Sequence, residues 1–158
     1  METSRLSALL GDTWFGAGLP VVPRSRLALL GKLVDVEAGH VLLREGAACE
    51  HLGVVVDGRI AIRLALPGQE DRTILTVEPG DVFGWSAVLP PAIATSTCVA
   101  ATPSRVILFD GVALGMAMQT DRELAAVVYE RLLIAVARRL SATRFQLLDL
   151  YRATREPW

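Results

Sequence analysis

The sequence contains little cysteine and little lysine, and it lacks any long apolar run. Its two cysteines, Cys49 and Cys98, show neither a paired nor a metal-type spacing, which predicts free thiols in a reducing compartment. No apolar run approaches the roughly 20 residues that a membrane-spanning helix needs, and the N-terminus lacks a basic stretch followed by an apolar one. We therefore expect a cytoplasmic protein without a membrane segment.

The chain also lacks a strong excess of charge. Its formal net charge is −1, Lys32 is its only lysine, and charged residues make up 21% of the 158 residues. A nearly neutral chain has no long-range field that would attract nucleic acid or an anionic membrane. Apolar residues amount to 52%, which predicts one folded domain with a core of its own and excludes a disordered chain.

Residues that usually carry catalysis or bind metals are scarce. His40, Cys49 and His51 offer imidazole and thiolate ligands, but no fourth ligand lies near them in the sequence. The simpler interpretation is two histidines at strand ends and a small buried thiol. No G-x-S-x-G motif is present, so a nucleophilic triad has no support. We expect no metal, no catalytic residue and no enzymatic activity.

The chain divides into three segments of different pattern. Residues 1–31 are predicted to form short helices, with Pro23 in a first turn and Gly31 as a helix C-cap. Residues 32–110 contain short β-branched runs separated by turn residues, which predicts a sandwich, jelly roll or barrel. Asp57-Gly58, between two such runs, predicts a β-hairpin. Residues 111–158 are predicted to be helical, so the fold class is α+β.

The last segment carries a heptad pattern typical of a long helix that pairs with another helix. The pattern runs through Tyr129, Leu133, Val136, Leu140, Thr143, Leu147 and Leu150. We expect its first turns to pack on the chain's own β-unit. From Leu140 onward we expect it to pair with a second copy, because strict alternation favours a coiled coil. The dimer interface is then predicted at Leu133, Val136, Leu140, Thr143, Leu147 and Leu150.

One stretch, GDVFGWSAVLPPAIATST at residues 80–97, has the form of an anion site without its charges. A glycine-rich turn leads into a short apolar helix, whose free N–H groups and dipole would favour an anion. The stretch nevertheless contains no Arg, no Lys and no Glu. Backbone donors and hydroxyl groups are therefore the only groups from this stretch that could hold an anion.

Three sequences in this order resemble the cyclic nucleotide-binding domain family, and most of all the sensor half of the catabolite activator protein family. They are AGHVLLREGAACEHLGVVVDGRIAI, the GDVFG turn, and ARRLSATRFQLLDLY in the last helix. The resemblance implies N-terminal helices, a β-roll of about eight antiparallel strands with an internal short helix, and a long dimerisation helix. It also implies a phosphate held by an Arg on the strand after the short helix and a ribose held by a Glu after the glycine.

This sequence departs from the family at both charged positions. The Glu position resembles Trp85, and the Arg position falls at Ile93 or Thr95. We therefore predict a degenerate phosphate cradle with no positive side chain, and we disfavour a cyclic nucleotide as a cofactor. Thr143 is either a ligand contact across the dimer or a polar residue that fixes the helix register. The predicted pocket is bounded by Gly84, Trp85, Ser86, Ala87, Thr95, Ser96, Thr143 and Arg144.

Two alternatives remain open at this point. The chain could bind a cyclic nucleotide in an atypical pocket, with a cation supplied by Arg144 or Arg105. It could also be a protein–protein adaptor without a small ligand, engaging an unidentified protein partner. Relatives of this type carry a helix-turn-helix after the long helix, whereas this chain stops soon after Tyr151, so we expect no direct DNA binding.

Overall fold

The structure is a computed structural model in which residues 1–154 are described. Two helices open the chain, α1 (Glu2–Gly11) and α2 (Val21–Leu30). Pro23 lies buried in the first turn of α2. Gly31 ends that helix in an extended conformation rather than the left-handed one of a glycine C-cap. A Cβ at this position would come within 2.9 Å of the Phe109 ring, so close packing is the reason for glycine here.

Eight antiparallel strands form two four-stranded sheets, which confirms the predicted α+β fold with a β-roll. The strands are β1 (Gly31–Val36), β2 (Val41–Leu43), β3 (His51–Asp57), β4 (Ile60–Leu64), β5 (Arg72–Val77), β6 (Val82–Phe83), β7 (Thr97–Ala100) and β8 (Ser104–Asp110). One sheet has the order β1-β8-β3-β6 and the other the order β2-β7-β4-β5. A short 3₁₀ helix (Trp85–Val88) follows β6, and two helices, α3 (Gly111–Thr120) and α4 (Arg122–Ala153), follow β8.

The predicted hairpin at Asp57-Gly58 is wrong. The turn exists, and Gly58 has a positive φ of 81°, but β3 lies in one sheet and β4 in the other. A Cβ at Gly58 would overlap the Ser104 hydroxyl, and the Arg59 N–H donates to that same oxygen over 3.1 Å. The turn therefore packs on the turn before β8 and leads the chain from one sheet to the other. Local turn chemistry does not determine which strands pair.

The core lies between the two sheets and extends beneath the helices. Its largest fully buried side chains include Phe15, Phe83 and Phe109. Paired residues on neighbouring strands of one sheet are buried and apolar, as with Val54 of β3 and Ile107 of β8. Gly53 lies in the same strand directly beneath the Phe83 ring. This close packing fixes the position of β6 and of the short helix that follows it.

Helix α4 packs on the roll with a different face from the one predicted. Its buried residues are Leu124, Val128, Leu132 and Ala135. Tyr129 and Leu133 of the heptad pattern are 48% and 70% exposed, so the expectation that these first turns pack on the roll through the heptad face is wrong. These four buried residues form a second apolar stripe, with spacings of 4, 4 and 3, and this stripe contacts the core. The heptad residues therefore lie on a neighbouring face of the helix.

The second half of α4 extends beyond the roll. Every residue from Leu140 through Thr154 is exposed. Residues 155–158, which the predicted helical segment 111–158 includes, lie outside the described residues. Within residues 1–154, no helix combines the length and apolar character required to cross a membrane.

Candidate functional site

A cavity of about 360 Å³ lies between the β2-β7-β4-β5 sheet, the short 3₁₀ helix and α4. Its walls combine a mostly apolar surface with a few hydroxyl groups and one guanidinium. The lining residues are Leu43, Cys49, Ile62, Leu64, Ile74, Leu75, Gly84, Trp85, Ser86, Ala94, Thr95, Ser96, Cys98, Val136, Arg139, Leu140 and Thr143.

The 3₁₀ helix begins at Gly84, which adopts the left-handed conformation with a φ of 75°. A Cβ there would overlap the His51 carbonyl oxygen, so only glycine allows this close approach to β3. The turn directs Trp85 and Ser86 toward the cavity. The amide of Ala87 is not free for a ligand, because it donates to the Gly84 carbonyl over 3.1 Å.

Helix α4 closes the cavity with side chains from three successive turns. Val136, Arg139, Leu140 and Thr143 all line it. The Thr143 hydroxyl donates to the Arg139 carbonyl over 2.9 Å, which fixes its rotamer against the helix. Positions 136, 139, 140 and 143 share one face of an α-helix, so a single stripe of α4 forms this wall.

Arg139 corrects the central expectation from the sequence, that no positive side chain lines the pocket. Its side chain is only 12% exposed, and its guanidinium lies over the Trp85 indole, 4.5 Å from the ring centroid. The guanidinium also donates to the Val82 carbonyl and lies 3.7 Å from the Asp81 carboxylate. The sequence carried a signal for this: Arg139 precedes Thr143 by one helical turn and so shares its face.

The electrostatics of the cavity are dominated by this one charge. Burial lowers the pKa of Arg139, and the Asp81 carboxylate acts in the opposite direction. Burial raises the pKa of Cys98 to about 12 and raises that of Cys49 as well, so both thiols are neutral. Among the residues of positions 1–154 that line the cavity, none is acidic.

Comparison with known proteins shows the family to which this chain belongs. The family model of the cyclic nucleotide-binding domain matches residues 33–121. The chain belongs to the cyclic nucleotide-binding domain family. This finding, together with the observed roll and long helix, confirms the resemblance drawn from the sequence.

Individual relatives agree with this assignment. The chain is 30% identical over 132 residues to the CRP-like cAMP-activated global transcriptional regulator of Mycobacterium tuberculosis, over 82% of this chain and 57% of the relative. It therefore spans little more than half the length of that protein. A cyclic nucleotide-binding domain from Methylobacillus flagellatus KT superposes with a TM-score of 0.78 at 18% identity, over 93% of this chain and 83% of that one.

A third similarity concerns a regulatory subunit of a cAMP-independent protein kinase A from Trypanosoma brucei. It superposes with a TM-score of 0.69 at 17% identity, over 82% of this chain and 46% of that one. At this level of identity the similarity concerns the fold alone. The cyclic nucleotide-binding fold therefore occurs both in a protein named as cAMP-activated and in one named as cAMP-independent.

The structure separates the two candidates for the family's arginine position. Thr95 lines the cavity, whereas Ile93 is 42% exposed and forms an isolated bridge with Ala48 outside it. Ser96 also faces the cavity. The hydroxyl of Thr97, next in the chain, instead accepts a hydrogen bond from the Glu45 N–H over 3.0 Å. Of the two candidates, Thr95 is therefore the one that lines the cavity.

Two residues of the predicted pocket lie outside the cavity. Ala87 is the buried residue of the 3₁₀ helix, and its carbonyl and Cβ pack closely on Gly111. Arg144 is exposed, because one residue beyond Thr143 the helix has turned by about 100° away from the cavity. The structure places the other six, Gly84, Trp85, Ser86, Thr95, Ser96 and Thr143, around the cavity.

Arg105 does not supply the cation either. It lies on β8 in the other sheet and pairs with Asp35 of β1, with 2.6 Å between the Arg105 Nε and a carboxylate oxygen. Of the arginines considered, Arg139 lines the cavity of its own chain, whereas Arg144 and Arg105 of that chain do not.

Proposed function

We propose that this chain is a non-enzymatic regulatory domain whose cavity does not hold cAMP through the two charged anchors that the family resemblance implies. Trp85 stands at the glutamate position and Thr95 at the arginine position. Removing one partner of a buried charged pair costs about 2–5 kcal/mol. Each 1.4 kcal/mol is a factor of ten, so a micromolar site would weaken by roughly 30-fold to several thousand-fold.

The observation that carries the proposal is the stacking of Arg139 on Trp85. A cation near the cavity is of use to a phosphate only if its charge is available. Here the guanidinium covers the indole face, and Asp81 and the Val82 carbonyl already face it from the roll. A cyclic phosphate would have to compete with these three partners, and no second cation among the described lining residues would share the charge.

The fold alone does not decide the ligand. The Mycobacterium tuberculosis relative is named as cAMP-activated, whereas the Trypanosoma brucei regulatory subunit of the same fold is named as cAMP-independent. Function therefore has to be argued from the cavity. Its single cation and the absence of any acidic residue among its described lining residues favour a ligand other than a cyclic nucleotide.

The long helix carries the regulatory output in this proposal. Four residues of α4 line the cavity, so whatever fills the cavity contacts the helix directly. Beyond the roll, α4 exposes Leu147 and Leu150, each more than half accessible. An isolated helical extension of this length is marginally stable in water, and a second copy packed on the heptad face would stabilise it. A homodimer through α4 then links two cavities.

A second candidate function is cyclic nucleotide binding in an atypical pocket. Its support is that Arg139 and Thr143 line the same cavity as the backbone turn at Gly84. Arg139 would then have to leave Asp81 and turn toward the phosphate. The ligand-free adaptor, by contrast, gains no specific support, because a cavity of this volume lies within the range of small-ligand sites.

Thermal unfolding in the presence of cAMP and cGMP tests the proposal. We expect no appreciable rise in Tm at millimolar nucleotide. A rise of several degrees at micromolar cAMP would contradict the proposed function and favour the second candidate, because a ligand stabilises a protein in proportion to the logarithm of its concentration over Kd.

A further inference from the structure

The lining of the cavity is apolar over most of its extent. Its aliphatic side chains form a wall to which both the sheet and α4 contribute. From the sheet they are Leu43, Ile62, Leu64, Ile74 and Leu75, and from α4 they are Val136 and Leu140. Burial against such a wall stabilises a hydrocarbon body in proportion to the apolar surface that is removed from water.

Arg139 places an incompletely satisfied donor at one end of this apolar space. A guanidinium has five N–H groups. The Nε atom is buried and has no hydrogen-bond partner. The Asp81 carboxylate is 3.7 Å away, which is an ion-pair distance but longer than a hydrogen bond, and one Asp81 oxygen accepts from the Val82 N–H over 2.8 Å. A buried donor without an acceptor destabilises a protein, and more so when it is charged.

Hydroxyl groups surround this end of the cavity. Ser86 lies on the 3₁₀ helix next to Trp85, Ser96 precedes β7, and Thr143 lies one turn beyond Arg139. A carboxylate oxygen accepts from hydroxyl groups, and Ser86 and Ser96 can donate to one, whereas the Thr143 hydroxyl already donates to the Arg139 carbonyl. By contrast, no carboxylate among the described lining residues is available to accept from ribose hydroxyls or amino groups.

We propose that the occupant of the cavity is a small organic carboxylate with an apolar body, held at its acid group by Arg139. This inference rests on the proposed function, because it requires that the cavity is not a cAMP site. The carboxylate competes with Asp81, 3.7 Å from the Arg139 guanidinium, and burial of the apolar body against the aliphatic wall offsets the loss of that ion pair, a contribution that a cyclic phosphate lacks. An inorganic anion would satisfy Arg139 but would leave the aliphatic wall without a partner.

The binding of this ligand changes how α4 is held. Without ligand, Arg139 connects the helix to Asp81 and Val82 at β6. With a carboxylate bound, the guanidinium turns toward the ligand and its contacts to the roll pass through the ligand instead. The ligand therefore acts on the helix at Arg139, next to the point where α4 leaves the roll.

Calorimetric titration of matched acid and amide pairs into the full chain tests this. Octanoate and phenylacetate carry the charge, whereas octanamide and phenylacetamide keep the body and lose it. We expect at least one acid to bind at least about tenfold more tightly than its amide. Acids that bind no better than their amides would overturn the proposal, and so would inorganic phosphate binding as tightly as the acids.

Variants test whether Arg139 causes the preference for an acid over its amide. Arg139→Gln is expected to reduce acid binding to the level of the amide. Arg138→Gln is the matched control, because Arg138 lies next in α4 and stacks on Trp14 at 4.2 Å, outside the cavity lining. It should keep the preference. A preference that survives Arg139→Gln would overturn the assignment. If Arg139→Gln does not fold, the Arg139 Nε–H resonance of the wild-type chain should shift with octanoate and not with octanamide; equal shifts would contradict the proposal.

Titration of cAMP in the same buffer separates the two proposals. Micromolar cAMP binding would contradict the proposed function and this inference together. Absence of binding by cAMP and by all acids would overturn this inference and leave the proposed function standing.

Discussion

The guanidinium of Arg139 lies over the indole of Trp85, 4.5 Å from the ring centroid, and joins the long helix α4 to the turn that follows β6. The two residues are far apart in sequence, and each faces the same cavity. The family resemblance implies a glutamate at the position of Trp85. At this position the chain has an indole that stacks with Arg139 and no carboxylate. Through this contact, the one charged side chain among the described lining residues connects the turn after β6 to helix α4.

The stacking should be measurable as a coupling energy. We predict that a double-mutant cycle with Trp85→Leu and Arg139→Met gives a coupling of about 0.5–2 kcal/mol, because a desolvated cation over an indole is worth that much. Denaturant unfolding of the wild-type chain, the two single variants and the double variant provides the four free energies of unfolding. Additive effects would mean that the two side chains do not stabilise each other.

The Gly53 position should tolerate no side chain. A Cβ there would overlap the Phe83 ring, and the two residues are paired on β3 and β6 of the same sheet. We predict that Gly53→Ala lowers the free energy of unfolding by about 1–3 kcal/mol, as overpacking does.

Gly115→Ala is its matched control. Gly115 lies in α3 with nothing within 4 Å of the added Cβ, so this variant should be stabilised by about 0.5–1 kcal/mol through its higher helix propensity. Equal effects of the two substitutions in denaturant unfolding would show that the packing of β3 on β6 is misassigned.

The exposed half of α4 predicts a dimer. We expect light scattering to give the mass of two chains for the wild-type protein and of one chain for Leu147→Asp. Leu147 is 51% exposed and lies beyond the cavity, so its loss tests the interface without altering the ligand site. A charge at this heptad position would be buried between helices.

Ala142→Asp introduces the same charge on the outer face of α4. This control should remain dimeric, because position 142 lies outside the heptad stripe. A wild-type mass of one chain would refute the interface outright, and dissociation of both variants would show that the heptad face is not the specific contact.

Acid should weaken the start of α4. Asp121 accepts from the Leu124 N–H over 3.0 Å and pairs with Arg26 at 2.7 Å, and these contacts, the backbone bond first, hold its pKa below the ordinary 3.8. A carboxyl with a lowered folded-state pKa contributes stability that is present above its ordinary pKa and lost as the pH falls through the folded value.

Unfolding midpoints measured from neutral pH down to about pH 2 should therefore decline below the ordinary carboxyl pKa. Asp121→Asn keeps the cap acceptor and removes the titrating charge, so its decline should be shallower than that of the wild-type chain. Identical pH profiles would show that other carboxyls account for the acid sensitivity.

Much of the fold was predictable from local pattern. The β-branched runs became strands, and the glycine at the start of the short helix has the positive φ that a tight turn requires. Strand pairing was not predictable in the same way. Asp57-Gly58 carried a strong hairpin signal, but β3 is buried along Leu52–Val55 and pairs with β8 and β6. Sheet membership depends on long-range packing, which a short sequence window does not contain.

The sequence predicted the site residues on the turn after β6, but it missed the one that reaches the cavity from α4. Residues 84–86 were placed at the cavity by the turn pattern, whereas Arg139 reaches it from α4, 57 residues after Val82, whose carbonyl its guanidinium contacts. A charged residue in a polar stretch of helix is usually solvated. Only its one-turn spacing from Thr143, together with the position of the roll, indicates that it is buried.

The central claim is that Trp85 and Thr95, in place of charged anchors, prevent cAMP from binding in the family's usual way. The direct test is a calorimetric titration of cAMP into the wild-type chain and into the double variant Trp85→Glu/Thr95→Arg. We predict no heat of binding for the wild-type chain at millimolar cAMP and measurable binding for the double variant, since the Gly84 turn is retained. Micromolar binding by the wild-type chain would contradict the account.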